Sequence, residues 1–433
     1  MKRFLFSFLI LVSAIARAEP PNIVLIISDD QSWNDYSFMG HEIIETPRLD
    51  QFAKESLTYT RGYVTSPLCR PSLASIFTGL DTPVHGITGN DISLDPEDRK
   101  SGKVRAMRSR VSPKYAPRHE HLYSEFRKHA NLARLLKDSG YLTLQTGKFW
   151  EGDPKLMGFT HAMTHGDPRK GGRHGDEGLK ISREGIAPIK SLMDESKKGG
   201  KPFFIWHAPF LPHTPHNPPK ELYDKYLKLE SNKFIARYYA MVEWFDQTCG
   251  ELFDEVESRG LTGNTVFLYV TDNGWIQSPD SGRYAPLSKQ DPHDGGIRTP
   301  IMVKWKGKIE PKMDKKTLVS AIDLAPTILK MCEVKVPAAM KGIDLRDGEA
   351  LNKRDMIFGF DGAHDIADWK KTTTNLETRY VVKGDWKLLD NVGKPNELYN
   401  VSIDPWEKKN LLKEKPEKVK ELSADLDAWW KAE

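Results

Sequence analysis

Four short, uniformly apolar runs punctuate the chain, and each ends in residues able to do chemistry. Ile23-Val24-Leu25-Ile26-Ile27 runs into Ser28-Asp29-Asp30, and Tyr141-Leu142-Thr143-Leu144 leads to Gly147-Lys148. Phe203-Phe204-Ile205-Trp206 opens onto a His/Pro-rich loop with His207, His213 and His216. Val266-Phe267-Leu268-Tyr269-Val270 ends in Thr271-Asp272-Asn273-Gly274. Runs without polar alternation suit strands buried on both faces. Between them the apolar spacing becomes helical and predicts helices over 48–56 (after Thr46-Pro47), 131–139 and 234–259. Strands alternating with helices imply an α/β fold with a mainly parallel sheet covered on both sides. Ligands of such sheets bind beyond the carboxyl ends of the strands. The polar residues collect at those ends.

After about Lys341 the pattern changes. The segment 379–389 predicts two strands around a Lys383-Gly384-Asp385 turn. The segment 414–432 predicts an amphipathic helix with Val419, Leu422, Leu426 and Trp429 on one face. The expected second unit is thus a small antiparallel sheet with a closing helix. The domain reading is a signal peptide over 1–18, a catalytic domain over 19–340 and a C-terminal subdomain over 341–433.

The first eighteen residues carry a basic start (Lys2, Arg3), an apolar stretch from Phe4 to Ile15 and the small-x-small triplet Ala16-Arg17-Ala18. That order predicts export, to a periplasmic or secreted location. The apolar stretch falls short of the ~20 residues that span a bilayer, and no later span is evident. Cleavage would remove Lys2, Arg3 and Arg17, lowering the net charge from +4 to +1. Such a balance gives no support for nucleic-acid binding. Eight basic residues with no acid fill 99–118, which reads as a mobile, solvated insertion or a basic lip for a polyanion. Three cysteines cannot build a disulfide framework. Cys249 and Cys332 fall on apolar spacing and read as core, with a bridge between them left open.

Asp29-Asp30 and Asp272-Asn273 place three carboxylates and an amide at two strand ends. Helix or turn capping would account for either pair alone. Together in one desolvated pocket they would repel each other without a cation, and oxygen ligands favour Ca²⁺ or Mg²⁺ over zinc. Cys69 lies just before a predicted helix bounded by Pro71 and Gly79, where the backbone dipoles favour an anion. A lone Cys usually fills a core; beside a cation site it is a candidate nucleophile.

With these residues in view, the chain resembles the formylglycine-dependent sulfatases of the alkaline phosphatase superfamily. Pro21 to Asp30 matches the family opening, and Cys69-Arg70-Pro71-Ser72 with Thr78-Gly79 matches the nucleophile segment. Gly140-Tyr141 with Thr146-Gly147-Lys148, Pro212-His213-Thr214-Pro215-His216, Thr271 to Gly274, and Lys289 with Asp294 to Pro300 resemble the later motifs in order. Glu397 to Asn400 and Asp404-Pro405 with Asn410-Leu411 resemble the closing signature. The resemblance implies an alkaline-phosphatase-like α/β/α sandwich. It also implies a Cys69 matured to formylglycine by a dedicated maturase, and Ca²⁺ (Mg²⁺ possible) held by Asp29, Asp30, residue 69, Asp272 and Asn273. Hydrated to a diol, residue 69 would attack a sulfate ester, and its second hydroxyl would expel sulfate. Lys148, His213 and Lys289 would bind the sulfate oxygens, with His213 or Lys289 protonating the leaving alcohol.

Two positions depart from the family pattern. Leu73 stands where the family has an Arg that serves maturation, and Trp150 where it has a His that helps deprotonate the diol. Arg70 would place a guanidinium near the first, but on a different side of the helix; Glu151, His85 and His165 are the candidates to replace the second. Trp150 and Trp275 follow site motifs and are expected to stack on a sugar, whereas Trp206 reads as core. The leading expectation is sulfate release from a sulfated carbohydrate. The alternatives are a phosphate or phosphonate monoester hydrolase on the same scaffold and a non-catalytic glycan-binding relative.

Overall fold

The structure, a computed structural model, describes residues 19–102, 106–166 and 177–430. The signal-like segment 1–18 and the Gly/Arg/Lys-rich stretch 167–175 lie outside the described residues. Six main strands form the central sheet: β1 (Asn22–Ser28), β2 (Leu57–Tyr63), β3 (Leu142–Gly147), β4 (Phe203–Ala208), β5 (Thr265–Thr271) and β6 (Arg298–Trp305). Their order is β2-β6-β5-β1-β4-β3, with short strands Val319–Ser320 and Lys312–Asp314 beside β2 and His161–Ala162 beside β3. All pairings are parallel except those of β6 with β2 and β5.

The apolar run of β1 feeds two cores because strand side chains alternate between faces. Ile23, Leu25 and Ile27 pack on one side with residues of α2 (Cys69–Thr78), α3 (Leu132–Asp138) and α6 (Leu324–Met331). Val24 and Ile26 pack on the other with α1 (Pro47–Lys54), α4 (Ala187–Gly199) and α5 (Lys233–Ser258). Helix α5 presents Met241, Phe245, Cys249, Leu252 and Val256, a stripe at helical spacing, to that second core. Truncating such a fully buried side chain to Ala costs about 2–5 kcal/mol. The helix boundaries follow local chemistry. Asn131 and Asn232 cap α3 and α5 by accepting backbone N–H bonds, and Gly79 ends α2 in the left-handed conformation at φ 64°. All three cysteines are free, so Cys249 and Cys332 form no bridge.

The C-terminal unit is a four-stranded antiparallel sheet of β7 (Met356–Gly362), β8 (Leu376–Lys383), β9 (Trp386–Asn391) and β10 (Glu397–Asn400), in chain order. The expected turn joins β8 to β9 through Gly384. Helix α7 (Pro416–Trp429) closes the sheet by burying Leu422 and Leu426 against Val381, Leu388 and Leu398. A buried polar cluster joins this unit to the first: Lys387 Nζ lies 3.0 Å from Asp294 Oδ1 and 2.6 Å from Glu407 Oε1. Among the described residues no helix is long and apolar enough to cross a membrane.

In the basic stretch 99–118, residues 103–105 lie outside the described residues, and the later part is less free than a mobile, solvated loop. Acids just upstream tie part of it down: Lys114 lies 2.7 Å from both Asp95 and Asp98, and Arg118 3.4 Å from Asp95. Arg110 is buried and sits over the rings of Tyr123 and Trp150.

Candidate active site

Every expected polar group except Lys289 sits just past the carboxyl end of a strand or opens the helix that follows one. Asp29 and Asp30 follow β1, Lys148 follows β3, His213 lies beyond β4, and Asp272-Asn273 follow β5. Cys69 is the first residue of α2, which follows β2. Lys289 precedes β6, whose reversed direction brings its start to the same end. Backbone bonds lock the strand ends together: Asp29 N donates to Leu211 O at 3.0 Å, Asp272 N to Ser28 O at 2.9 Å, and Lys148 N to Ala208 O at 2.7 Å. Gln290 N donates to Pro67 O at 3.0 Å and ties the Lys289 loop to the Cys69 approach. Gly147 is required here, since at φ 72° a Cβ would sit 1.9 Å from Ala208 O. Asp30 adopts φ 62°, an uncommon conformation for a non-glycine residue and a frequent one at functional sites.

The side chains converge. Lys148 Nζ lies 2.6 Å from Asp29 Oδ1 and 3.2 Å from Asp272 Oδ2. Lys289 Nζ donates to both oxygens of Asp30 at 2.7 Å, and Asn273 Nδ2 to Asp30 Oδ1 at 2.7 Å. His213 Nε2 stands 3.5 Å from Asp30 Oδ2. One ligand atom from each of Asp29, Asp30, Cys69 and His213 falls within 4.8 Å of the others.

Three buried carboxylates therefore face two ammonium groups, and the imbalance appears in their proton affinities. Burial raises the carboxyl of Asp272 to about 7 and also raises that of Asp29, against the pull of Lys148. Burial acts on Asp30 too, but Lys289, then His213 and Lys148, hold it down at about 2. Burial lowers His213 to about 3, so the imidazole is neutral. Its Nδ1 lies 2.5 Å from Thr214 O and carries the ring proton, which turns the Nε2 lone pair toward a carboxylate. Asp29 Oδ2 and Asn273 Oδ1 are buried acceptors with no donor among the described residues. Orphaned oxygens, excess negative charge and a lone pair opposite a carboxylate together fit a divalent cation held by oxygen ligands.

The opposite flank of Cys69 is different in kind. Arg70 is fully buried, and its guanidinium meets Glu151 in a bidentate pair at 2.6 and 2.8 Å. Its backbone N–H donates to Asn90 Oδ1 at 2.9 Å. Leu73 and Trp150, the two departures from the family pattern, line the same small gap. Phe77, Phe126, Phe149 and Trp206 line it too, with Ala74 and the Arg70–Glu151 pair. Of the suggested substitutes for the family His, Glu151 is engaged by Arg70, and His85 bonds Ser75 Oγ at 3.0 Å from within the core. His165 is exposed. The expectation that Trp150 and Trp275 stack on a sugar needs correction. They are 2% and 4% exposed, Trp150 in the aromatic wall and Trp275 packed among Ile44, Tyr238 and Val242. Sequence spacing offered no sign of the Arg70–Glu151 pairing, nor of Tyr238, whose hydroxyl reaches Asp30 O at 3.2 Å.

Comparison with known proteins agrees with this geometry. The sulfatase family model matches residues 21–334, and the model of the N-sulphoglucosamine sulphohydrolase C-terminal region matches residues 282–431. An ulvan-active sulfatase of Formosa agariphila is 25% identical over 94% of this chain and 80% of its own length. An arylsulfatase of Clostridium perfringens is 25% identical over 88% of this chain and 90% of its own. Among solved structures, Ps i-CgsB in complex with k-i-k-neocarrahexaose superposes with a TM-score of 0.73. That match has 22% identity and covers 96% of this chain and 94% of the other. The chain thus belongs to the sulfatase family of the alkaline phosphatase superfamily, whose members hydrolyse sulfate esters.

Proposed function

We propose that this enzyme releases sulfate from a sulfated carbohydrate, with residue 69 acting as formylglycine beside a bound Ca²⁺ (Mg²⁺ being the alternative). The observation that carries the reading is the under-neutralised pocket: Asp29 and Asp30 cluster with Cys69 and His213, Asp272 and Asn273 join them through Lys148 and Asp30, and two oxygens, Asp29 Oδ2 and Asn273 Oδ1, are left orphaned. Asp29, Asp30, Asp272 and Asn273, with residue 69, would hold the cation, which supplies positive charge against the sulfuryl oxygens. As a plain thiol, residue 69 is a poor nucleophile, because burial lifts Cys69 to about 11 despite Lys148 and Lys289. Conversion by a maturase would replace the thiol with a hydrated aldehyde, whose second hydroxyl could expel sulfate from residue 69 and regenerate the aldehyde.

The remaining work falls to the chain's own side chains. Lys148 and Lys289 are held protonated by the surrounding carboxylates and neutralise charge on the sulfate oxygens. Lys289 already carries a proton for the departing alcohol, whereas His213 would first have to gain one against burial. The carbohydrate class rests on the ulvan-active relative and the neocarrahexaose-bound structure. Export, to a periplasmic or secreted location, rests on the signal-like first eighteen residues.

The deciding experiment measures the mass of the peptide containing residue 69, then sulfate and phosphate release from matched esters on one preparation. Formylglycine together with sulfate release from sulfated sugars is expected. Turnover with unmodified cysteine would remove the nucleophile assignment, and a preference for phosphate monoesters would remove the substrate assignment.

A further inference from the structure

A crevice of about 320 Å³ lies between the segments that flank Lys289 and Asn273 in the chain and the C-terminal unit. One part of its lining flanks two site motifs in the chain. Ile276 follows Asn273 by three positions, and His293 follows Lys289 by four. Leu287 lies two residues before Lys289 and is 42% exposed, a large apolar side chain turned outward. The far wall is Trp406, 39% exposed, with Lys408 at the edge. Behind Trp406 stands Trp33, three residues past Asp30, with ring centroids 5.3 Å apart. Arg298 sits over the other ring, its Cζ 4.1 Å from the Trp33 centroid. The indole Nε1 of Trp33 is buried and has no acceptor among the described residues. The acidic member of the lining, Glu407, is buried and neutralised by Lys387, so its charge does not repel an anion.

A pocket of this size, with an exposed indole opposite an aliphatic side chain and a cation at its rim, fits a pyranose ring bearing an anionic group. We infer that the crevice is a subsite for the saccharide residue next to the one that loses sulfate, with Trp406 as its stacking platform and Lys408 facing that ring's sulfate or carboxylate. The inference rests on the carbohydrate reading of the active site and deepens it: the substrate is an oligosaccharide, recognised across both units of the fold. Trp150 and Trp275, which the sequence pointed to, are packed inside, whereas Trp406, which it did not, is 39% exposed.

The test compares matured wild type with Trp406→Ala and, from the opposite wall, Leu287→Ser. Substrates are 4-nitrophenyl sulfate, sulfated monosaccharides and size-defined oligosaccharides from carrageenan, ulvan, heparin and chondroitin sulfate. Each variant is expected to lose about tenfold in kcat/KM on the preferred oligosaccharide, through KM, with aryl sulfate turnover within about twofold of wild type. Equal losses on all substrates, or no loss on oligosaccharides that wild type hydrolyses well, would overturn the subsite while leaving the sulfatase reading intact. Wild type hydrolysing aryl sulfate but no saccharide would overturn the carbohydrate reading, and the subsite with it.

Discussion

The two flanks of Cys69 follow opposite rules. On one side, three carboxylates face two lysines, with two oxygens unsatisfied and proton affinities pushed apart. On the other, Arg70 and Glu151 satisfy each other in a buried bidentate pair, and Leu73 and Trp150 fill the remainder with apolar surface. The first flank is incomplete without a ligand; in the second the buried ion pair is satisfied within the fold. Buried charge is expensive unless paired, so the imbalance marks where the protein binds something and the balance marks where it only holds shape. Both departures from the family pattern lie on the balanced flank.

The largest expected effects test the incomplete flank. Cys69→Ala should lower kcat by about 10⁴-fold or more while saccharide binding persists, measured by sulfate release and calorimetry. Chelation should abolish activity and added Ca²⁺ restore it; full activity after exhaustive chelation would contradict the cation assignment. Lys148→Ala should cost about 10²–10³-fold in kcat, the scale of one preorganised charge contact.

Effects on the balanced flank should be felt in stability first. Glu151→Ala leaves Arg70 buried and unpaired, at about 3–5 kcal/mol, read as a fall in denaturation midpoint. The double variant Arg70→Met/Glu151→Met should recover most of that loss, because an apolar pair of similar volume often replaces a buried ion pair. If the double variant regains the midpoint but not kcat, the pair also positions Cys69 and Lys148. Leu73→Arg, which restores the family residue, should destabilise by about 1–3 kcal/mol through overpacking against Phe77, Phe149 and Trp150, and bring no gain in rate.

The smallest effect lies at the junction with the C-terminal unit. Burial opposes the charged form of His293, but hydrogen bonds to Asp291 and Glu397 prevail and raise it to about 9 from 6.5. A group raised on folding adds stability fully present below its unfolded value and lost as pH climbs through the folded one. Stability should therefore decline between pH 6.5 and about 9, and His293→Gln should flatten that decline in denaturant titrations.

Much of this was legible in the chain. The apolar runs of β1, β3, β4 and β5 and the helices α1, α3 and α5 lie where hydrophobic spacing put them, because strands buried on both faces and long amphipathic helices have strong periodic signatures. Asp29, Asp30, Cys69, Lys148, His213, Asp272, Asn273 and Lys289 could be singled out because motif order survives where overall identity is low. The orientation of aromatic residues was not legible. Trp150 and Trp275 follow site motifs in sequence, yet whether an indole turns inward depends on neighbours far along the chain, such as Phe126 or Tyr238. The Arg70–Glu151 pair spans 81 positions and has no periodic signal. The pairing of Lys114 and Arg118 was hidden for a related reason, since their acidic partners, Asp95 and Asp98, lie just outside the basic run.

The Lys387–Asp294–Glu407 cluster constrains how new specificities can be built on this scaffold. Its charges are buried, and they come from opposite sides of the junction. Grafting the C-terminal unit of another family member onto the first 340 residues would replace Lys387 and Glu407 but keep Asp294, stranding a carboxylate unless the donor supplies an equivalent lysine. Chimeras should therefore sort by whether that lysine is present, whatever the overall similarity of the halves, and saccharide preference would travel only with units that pass this filter.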